Sequence, residues 1–425
     1  MKHVVERIER LEGTLKVPGD KSISHRALIL GAAARGRQVI DGLSDAADVA
    51  SSVAALRAMG CFVESMPDGR TLVLANSLVP DYEIDAGNSG TTARLVAGLA
   101  AARAHRCRID GDASLRRRPM ARIAEPLARM GARVVLANGG TLPATIEGGA
   151  LHGIRYQTPV PSAQVKSAVL IAGLFADGET TVVEATPTRD HTEIMLDAMG
   201  ANLVRSDGAV TVRGGSRIEG MHVVVPGDFS SAAFFMVAAL LVPKSRVHLP
   251  FTGVNPRRTG LLRVLESMGA TVSVDAVHDG AADPTGDVSA AFSAELRGIT
   301  IDDPATVASI IDEIPILAVA ATQADGQTVI RGAGELRHKE SDRIASLVSN
   351  LRALGARVEE LDDGLVIDGP ARLRGAAVSS FGDHRIAMAM AIAGLVADGR
   401  TEIDDAGVVD ISYPRFFADL RTLTR

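Results

Sequence analysis

Repetition governs this sequence. Five segments share one pattern, an amphipathic helix that ends at Met-Gly or Leu-Gly with a β-prone run behind it. They are LRAMGCFVE (Leu56–Glu64), LARMGARVVL (Leu127–Leu136), LDAMGANLV (Leu196–Val204), LESMGATVSV (Leu265–Val274) and LRALGARVEEL (Leu351–Leu361). Glycine just past a helix supplies the left-handed turn that stops it, here at Gly60, Gly131, Gly200, Gly269 and Gly355. The Val-rich stretch that follows is a strand signal. A second series interleaves with the first: an Ala-rich helix, a short turn and a strand. Its six copies are HRALILGAAARGRQVID, TARLVAGLAAARAHRCRID, KSAVLIAGLFADGETTVVE, SSAAFFMVAALLVPKSRVHL, EIPILAVAATQADGQTVIRG and HRIAMAMAIAGLVADGRTEID. These helices are apolar nearly all round, which marks them as buried, whereas the Met-Gly helices are amphipathic and belong outside. Together the two series predict an α/β protein of six units, three per domain, each domain holding three buried helices inside a shell of sheets and outer helices. A solenoid of even repeats would carry polar capping repeats at its ends, and none is visible.

A length of 425 residues also favours two cores over one. Aromatics make up 3% and Trp is absent, so Ala, Val, Leu and Ile must build the interior, with Gly and Ala letting helices approach closely. The same poverty removes the stacking platforms that single-stranded nucleic acid needs. A formal charge of −6 gives no general attraction to polyanions, so any anion site must be made locally. The opening MKHVVERIER is charged and lacks the apolar centre of a signal peptide. The richest apolar runs, Ala93–Ala102 and Ala387–Ala397, fall short of the ~18 residues of a membrane span. The expectation is a soluble, cytoplasmic protein with neither membrane nor nucleic acid as partner. Cys61 and Cys107 are too few for a disulfide framework and lie in no metal-ligand pattern, and read as small buried hydrophobes.

The informative residues stand just before the six buried helices. They read VPGDKSISHR (Val17–Arg26), DAGNSGTTAR (Asp85–Arg94), PVPSAQVKSA (Pro159–Ala168), VPGDFSSAAF (Val225–Phe234), IIDEIP (Ile310–Pro315) and FGDHR (Phe381–Arg385). Their Gly, Ser, Asp and Asn are capping residues, so each helix starts at a polar cluster. A helix N-terminus attracts anions, but contributes only about 0.3–1 kcal/mol per charge. A charge-assisted hydrogen bond contributes about 1.5–3 kcal/mol, so fixed cations are required as well. These fronts supply Lys21, Arg26, Arg94, Lys166 and Arg385, and nearby stretches add Arg116, Arg117, Arg118, Arg189, Arg337, Lys339 and Arg343. Arginine brings a bidentate fork and lysine a compact point charge. Asp312, Glu313 and Glu340 place carboxylates among those cations, where they can serve as general acid or base. Equivalent units put the fronts at one edge of each domain, and two such edges facing each other would form a cleft for two small anions. No GxxxxGK[ST] loop, no dinucleotide GxGxxG after a strand and no His/Cys cluster is present, so neither cofactor nor metal is expected.

Taken singly, each front reads as an ordinary cap, Arg116–Arg118 as a solvated charge run, and Lys339–Arg343 as an ion-paired helix face. His25 and His384 read best as capping or packing residues. What favours function is coincidence: cations recur at the same place in most units, and independent caps have no need of Lys or Arg.

At GDKSISHR, GNSGTTAR, RRRPM, SAQVKSA, DEIPILAVAA, KESDR and DHRIAMA the chain closely resembles the 5-enolpyruvylshikimate 3-phosphate synthase family, in order and over essentially its whole length. The resemblance implies a two-domain inside-out α/β barrel of six βαβαββ repeats, divided here as residues 14–226 and 227–425 plus 1–13. The first would carry the shikimate 3-phosphate site, the second much of the phosphoenolpyruvate and acid/base machinery. It implies transfer of the enolpyruvyl group of phosphoenolpyruvate to the 5-hydroxyl of shikimate 3-phosphate by addition–elimination, without cofactor or metal, in a monomer. Position by position, Lys21, Ser22 and Arg26 match the first substrate motif, with Lys21 touching both substrates and Arg26 the shikimate carboxylate. Asn88, Gly90, Thr91 and Arg118 would line the phosphoenolpyruvate site. Ser162, Ala163 and Gln164 match the segment whose serine holds the shikimate phosphate, and Arg189 would join that phosphate. Asp312 and Lys339 would flank the reacting hydroxyl, with Asp312 as proton acceptor. Glu340 would act as acid/base at the methylene carbon, and Arg343 and Arg385 would clamp phosphoenolpyruvate.

One departure stands out. Many members carry a lysine shortly before an aromatic-Pro pair near the C-terminus, where this chain reads DISYP (Asp410–Pro414). Two other readings fit the sequence less well. UDP-N-acetylglucosamine enolpyruvyl transferases share fold and donor, but typically have Lys-Asn where this chain has Lys21-Ser22, and a reactive cysteine in the loop that here reads GDASLRRRPM. A non-catalytic anion-binding scaffold would not need Asp312, Lys339 and Glu340.

Overall fold

The structure is a computed structural model that describes residues 2–75, 79–103 and 106–424. Its chain forms two compact units. One comprises Gly19–Pro226 with Asp279–Asp283, and the other Met1–Pro18, Gly227–His278 and Pro284–Arg425. Each unit has its own apolar core.

The six expected inner helices are Lys21–Ala33, Gly90–Arg103 and Ala163–Gly173 in the first unit, and Phe229–Leu241, Ile314–Ala321 and His384–Gly394 in the second. Every residue of the Phe229, Ile314 and His384 helices is buried, as an all-round apolar sequence requires. Inner helices of a unit pack on one another, and small residues set how closely. A Cβ at Gly98 would lie 2.3 Å from the Ala168 carbonyl oxygen, so the Gly90 and Ala163 helices touch backbone to backbone there.

All five Met-Gly or Leu-Gly helices end at their glycine. The φ values run from 83° at Gly200 to 108° at Gly131, the left-handed region that side chains resist. Each end closes with the same paired bonds, for example Gly60 N to Arg57 O (2.9 Å) and Cys61 N to Leu56 O (3.0 Å). These helices bury one face only, as Ala47–Ala58 does through Val49, Ser52, Ala55 and Leu56.

The strands repeat one sheet design. Five sheets have four strands, a parallel pair extended by two antiparallel strands, such as Asp81–Asp85, Arg106–Asp110, Thr141–Glu147 and Arg133–Ala137. In two of them the first strand comes from afar. His222–Val224 pairs with Arg37–Asp41, and Glu12–Thr14 with Arg246–Gly253. The sixth sheet has three strands, and its antiparallel member is His3–Glu6, paired with Arg400–Ile403. The six α/β units are thus present, three per compact unit, the last completed by the N-terminus. The few aromatics are concentrated, with Phe234, Phe235, Tyr413, Phe416 and Phe417 packing together in the second unit. Among the described residues no single helix is long and apolar enough to cross a membrane.

Candidate active site

In the unit of Gly19–Pro226, Asp20 caps the Lys21 helix by accepting from Ile23 N at 2.9 Å. That cap sets Lys21 at the helix mouth, where its Nζ lies 3.0 Å from Asp48 Oδ2. One turn further in, Arg26 is only 3% exposed. Its guanidinium donates to Thr192 Oγ1 (2.7 Å), to the Ser22 carbonyl (2.9 Å) and to Ser167 Oγ (2.9 Å), joining three helices. A buried hydroxyl chain, His25 Nδ1 to Ser52 to Thr92 to Ser89, ties the Lys21 front to the Gly90 front. Burial, with Lys21 and Arg26 nearby, holds the His25 imidazole well below its ordinary pKa, so it sits in the core as a neutral ring.

The Gly90 and Ala163 fronts are joined through Gln164, which accepts from Arg94 Nη1 (2.9 Å) and donates to Thr91 Oγ1 (2.9 Å). Asn88 accepts from Arg118 Nη2 at 2.8 Å and donates to Asp112 at 2.7 Å, so the RRRPM loop is anchored on the same front. Ser162 caps its helix through Val165 N. Lys21, Ser22, Asn88, Thr91, Ser162, Ala163, Gln164 and Arg189 are all half-buried, with supporting groups beneath them.

The other unit gathers its charges more tightly. The helix Pro304–Ile310 turns through 102° into Ile314–Ala321, and Asp312 and Glu313 sit at that break, ahead of Pro315. Asp312 Oδ1 lies 3.5 Å from Lys339 Nζ and 3.4 Å from Arg343 Nη1, and Asp312 Oδ2 lies 4.0 Å from Arg385 Nη2. Arg343 also reaches Glu340 Oε2 at 2.5 Å and Asp383 Oδ2 at 2.8 Å. Burial works against its charge, yet Asp383, Glu340 and Asp312 outweigh that and hold the guanidinium above the usual arginine pKa. Arg385 donates to the Asp312 carbonyl (2.8 Å) and to Ser230 Oγ (3.1 Å). Ser230 in turn donates to Glu313 and accepts from Arg258 at 2.8 Å. Asp383 caps the His384 helix through the backbone N–H of Arg385, so one carboxylate both starts the helix that bears Arg385 and aims the Arg343 side chain.

The fronts of the inner helices are therefore cross-linked within each unit. Three cations put forward from sequence do other work. Lys166 is fully buried between Glu184 and Glu193, Arg116 pairs with Asp110, and Arg337 spans Asp342 and Glu360. Asp48, Thr192, Ser230, Arg258 and Asp383 belong to the constellation but were not singled out. Asp383 had the signal of a cap alone, and Arg258 lies in NPRRTG, at the front of the outer helix Gly260–Ser267 and not of an inner one. Near DISYP the nearest cation in sequence, Arg415, has a largely exposed side chain and pairs with Asp419 at 3.1 Å. Among the described residues no group of three His, Cys, Asp or Glu is arranged to hold a metal ion.

This architecture is that of enolpyruvyl transferases. The solved structure of the enolpyruvyl transferase NikO from Streptomyces tendae superposes with a TM-score of 0.80 over 99% of this chain and 96% of that one, at 19% identity, a likeness of fold alone. The chain belongs to the EPSP synthase (3-phosphoshikimate 1-carboxyvinyltransferase) family, whose model matches residues 5–420. It is 46% identical to 3-phosphoshikimate 1-carboxyvinyltransferases of Bacillus thuringiensis and Bacillus cereus over 98% of its length and 97% of theirs. The solved EPSP synthase from Acinetobacter baumannii matches with a TM-score of 0.87 and 38% identity, covering 99% of this chain and 98% of that one. The chain is thus an enzyme, a transferase of the shikimate pathway.

Proposed function

We propose that the chain transfers the enolpyruvyl group of phosphoenolpyruvate to the 5-hydroxyl of shikimate 3-phosphate, releasing phosphate, with the two residue constellations serving that one reaction. The observation that carries the mechanism is Arg343. One rigid guanidinium touches Asp312 at 3.4 Å and Glu340 at 2.5 Å, and so sets the distance and angle between two carboxylates. Addition needs a proton removed from the hydroxyl and one added to the methylene carbon. Asp312 accepts the first as the hydroxyl oxygen bonds to C2 of phosphoenolpyruvate, and Glu340 delivers the second to C3. Elimination then returns a methyl proton to Glu340 as the C2–O bond to phosphate breaks, and the proton held by Asp312 leaves on the departing phosphate, which restores both carboxyl groups. Lys339, beside Asp312, steadies the developing alkoxide.

Lys21, Ser22, Arg26, Ser162, Ala163, Gln164 and Arg189 are assigned to shikimate 3-phosphate, with Arg26 pre-set by Thr192 and Ser167 for the carboxylate. Asn88, Gly90, Thr91, Arg118, Arg343 and Arg385 are assigned to phosphoenolpyruvate, with Lys21 reaching both. The UDP-N-acetylglucosamine reading loses its nucleophile. The RRRPM loop has no cysteine, and burial pushes the thiol of Cys107 up to about 12. We further propose a monomeric, cytoplasmic working form, which the presence of both residue sets on one chain supports. Phosphate release with both substrates tests the assignment. Asp312→Ala should lower kcat by about 10²–10⁴, the usual worth of a general base, with a lesser change in either KM. A variant that loses affinity while keeping kcat would demote Asp312 to a binding residue.

A further inference from the structure

Lys166 has no place in that mechanism, yet its surroundings are unusual. Its side chain is 0% exposed, and Nζ lies 2.7 Å from Glu184 Oε2 and 2.7 Å from Glu193 Oε1. Replacing such a cluster by apolar groups of similar size is often neutral or stabilising, so stability alone does not explain it. Two carboxylates face one ammonium, and Glu193 Oε2 has no hydrogen-bond partner among the described residues, a cost a purely stabilising pair would not carry.

What the cluster joins is more telling. Lys166 stands on the first turns of the helix that begins with Ala163 and Gln164 and is capped by Ser162. Glu184 follows the strand Glu179–Val183 and opens the segment that leads to Arg189. Thr188, the residue before Arg189, donates its hydroxyl to Glu184, and its carbonyl lies 3.5 Å from Lys166 Nζ. Glu193 adjoins Thr192, which accepts from Arg26 and bonds Ser167 at 2.7 Å. One buried ammonium thereby ties together the three segments that carry Ser162–Gln164, Arg189 and the partners of Arg26.

We propose that Lys166, through Glu184, Glu193 and Thr188, is a positioning residue that braces the shikimate 3-phosphate site; the inference rests on the assignment of Ser162, Arg26 and Arg189 to that substrate. A dianionic phosphate is held by several short bonds at once, so small displacements of their bearers cost affinity steeply. The brace bears first on the shikimate 3-phosphate residues, and reaches a phosphoenolpyruvate residue at one remove, through the bond from Gln164 to Thr91, so its effect on that substrate is the smaller.

The test is steady-state phosphate release with each substrate varied, on Lys166→Met, Thr188→Val and, as control, Arg189→Ala. Lys166→Met strands two buried carboxylates and is expected to lower the melting temperature. Thr188→Val leaves the ion cluster in place and removes only the tie next to Arg189, so it decides the matter if the first variant does not fold. Both should raise the KM for shikimate 3-phosphate on the order of tenfold, with kcat and the KM for phosphoenolpyruvate within about twofold of wild type. A folded Thr188→Val with unchanged KM for shikimate 3-phosphate overturns the brace, as do parallel losses in both KM values and kcat. If Arg189→Ala leaves that KM intact, the assignment of Arg189 is what fails.

Discussion

Arg343→Lys is the sharpest probe of the acid/base arrangement. The native guanidinium is 1% exposed and serves three carboxylates from three of its nitrogens, at 3.4 Å to Asp312, 2.5 Å to Glu340 and 2.8 Å to Asp383. A lysine keeps the charge but has one compact ammonium on a shorter reach, and retains one of those contacts. Two lost charge-assisted bonds at about 1.5–3 kcal/mol each amount to about 3–6 kcal/mol. If that loss falls on the transition state, where the separation of Asp312 and Glu340 matters most, about 1.4 kcal/mol per decade converts it to roughly 10²–10⁴ in kcat. Any part taken by the folded state appears as a lower urea midpoint, so the two readouts together account for the whole. The assay is phosphate release with each substrate varied, alongside urea unfolding. A variant with kcat within about tenfold of wild type and an unchanged midpoint would refute the claim that this guanidinium sets the two carboxylates.

Arg385→Lys should act differently, raising the KM for phosphoenolpyruvate by about tenfold with a smaller fall in kcat, since Arg385 is aimed by Ser230 and a backbone carbonyl; an unchanged KM counts against its role as a clamp. Burial raises the Cys61 thiol to about 11 and the Cys107 thiol to about 12, so iodoacetamide at pH 8 should leave the native chain unlabelled and alkylate both after unfolding. Native labelling at the unfolded rate would show that neither is sequestered. His25 is held well below its ordinary 6.5, so the unfolded chain takes up a proton that the folded chain refuses. The stability it contributes is complete above that pH and falls as pH drops through it, by up to about 1.4 kcal/mol per unit. Urea midpoints between about pH 5 and 8 should slope less in His25→Asn than in wild type, and equal slopes would exclude His25 as the source.

The helix stops were legible because their cause is local. A glycine such as Gly131 at φ 108° ends a helix whatever lies around it, and an all-apolar helix such as Phe229–Leu241 can only be buried. Pairings across the chain were not. Nothing near His3–Glu6 announces that it completes a sheet with Arg400–Ile403. The site shows the same division. Asp312, Lys339 and Glu340 stood out by residue type beside a helix front, but so did Lys166. Lys21 and Lys166 differ only in what comes to meet them. The half-buried Lys21 pairs with Asp48, and the fully buried Lys166 meets two carboxylates in the core, supplied from 18 and 27 residues further along. Local pattern marks where cations collect and is silent on which carboxylates have already claimed them.

That distinction also separates the two arginines of the acid/base cluster. A cation that already serves three carboxylates offers little to an incoming anion, because each new bond displaces an existing one of similar strength. Arg343 is in that position, so in the proposed mechanism it would chiefly hold Asp312 and Glu340 in register, with phosphoenolpyruvate a secondary partner. Arg385 is tied by a carbonyl at 2.8 Å and a hydroxyl at 3.1 Å, while its carboxylate neighbours Glu313 and Asp312 stand at 3.6 and 4.0 Å. Neutral ties orient the guanidinium without consuming its charge. An anion approaching Arg385 gains a charge-assisted bond and gives up little, so in the proposed mechanism the clamp would fall to Arg385 and the alignment of acid and base to Arg343.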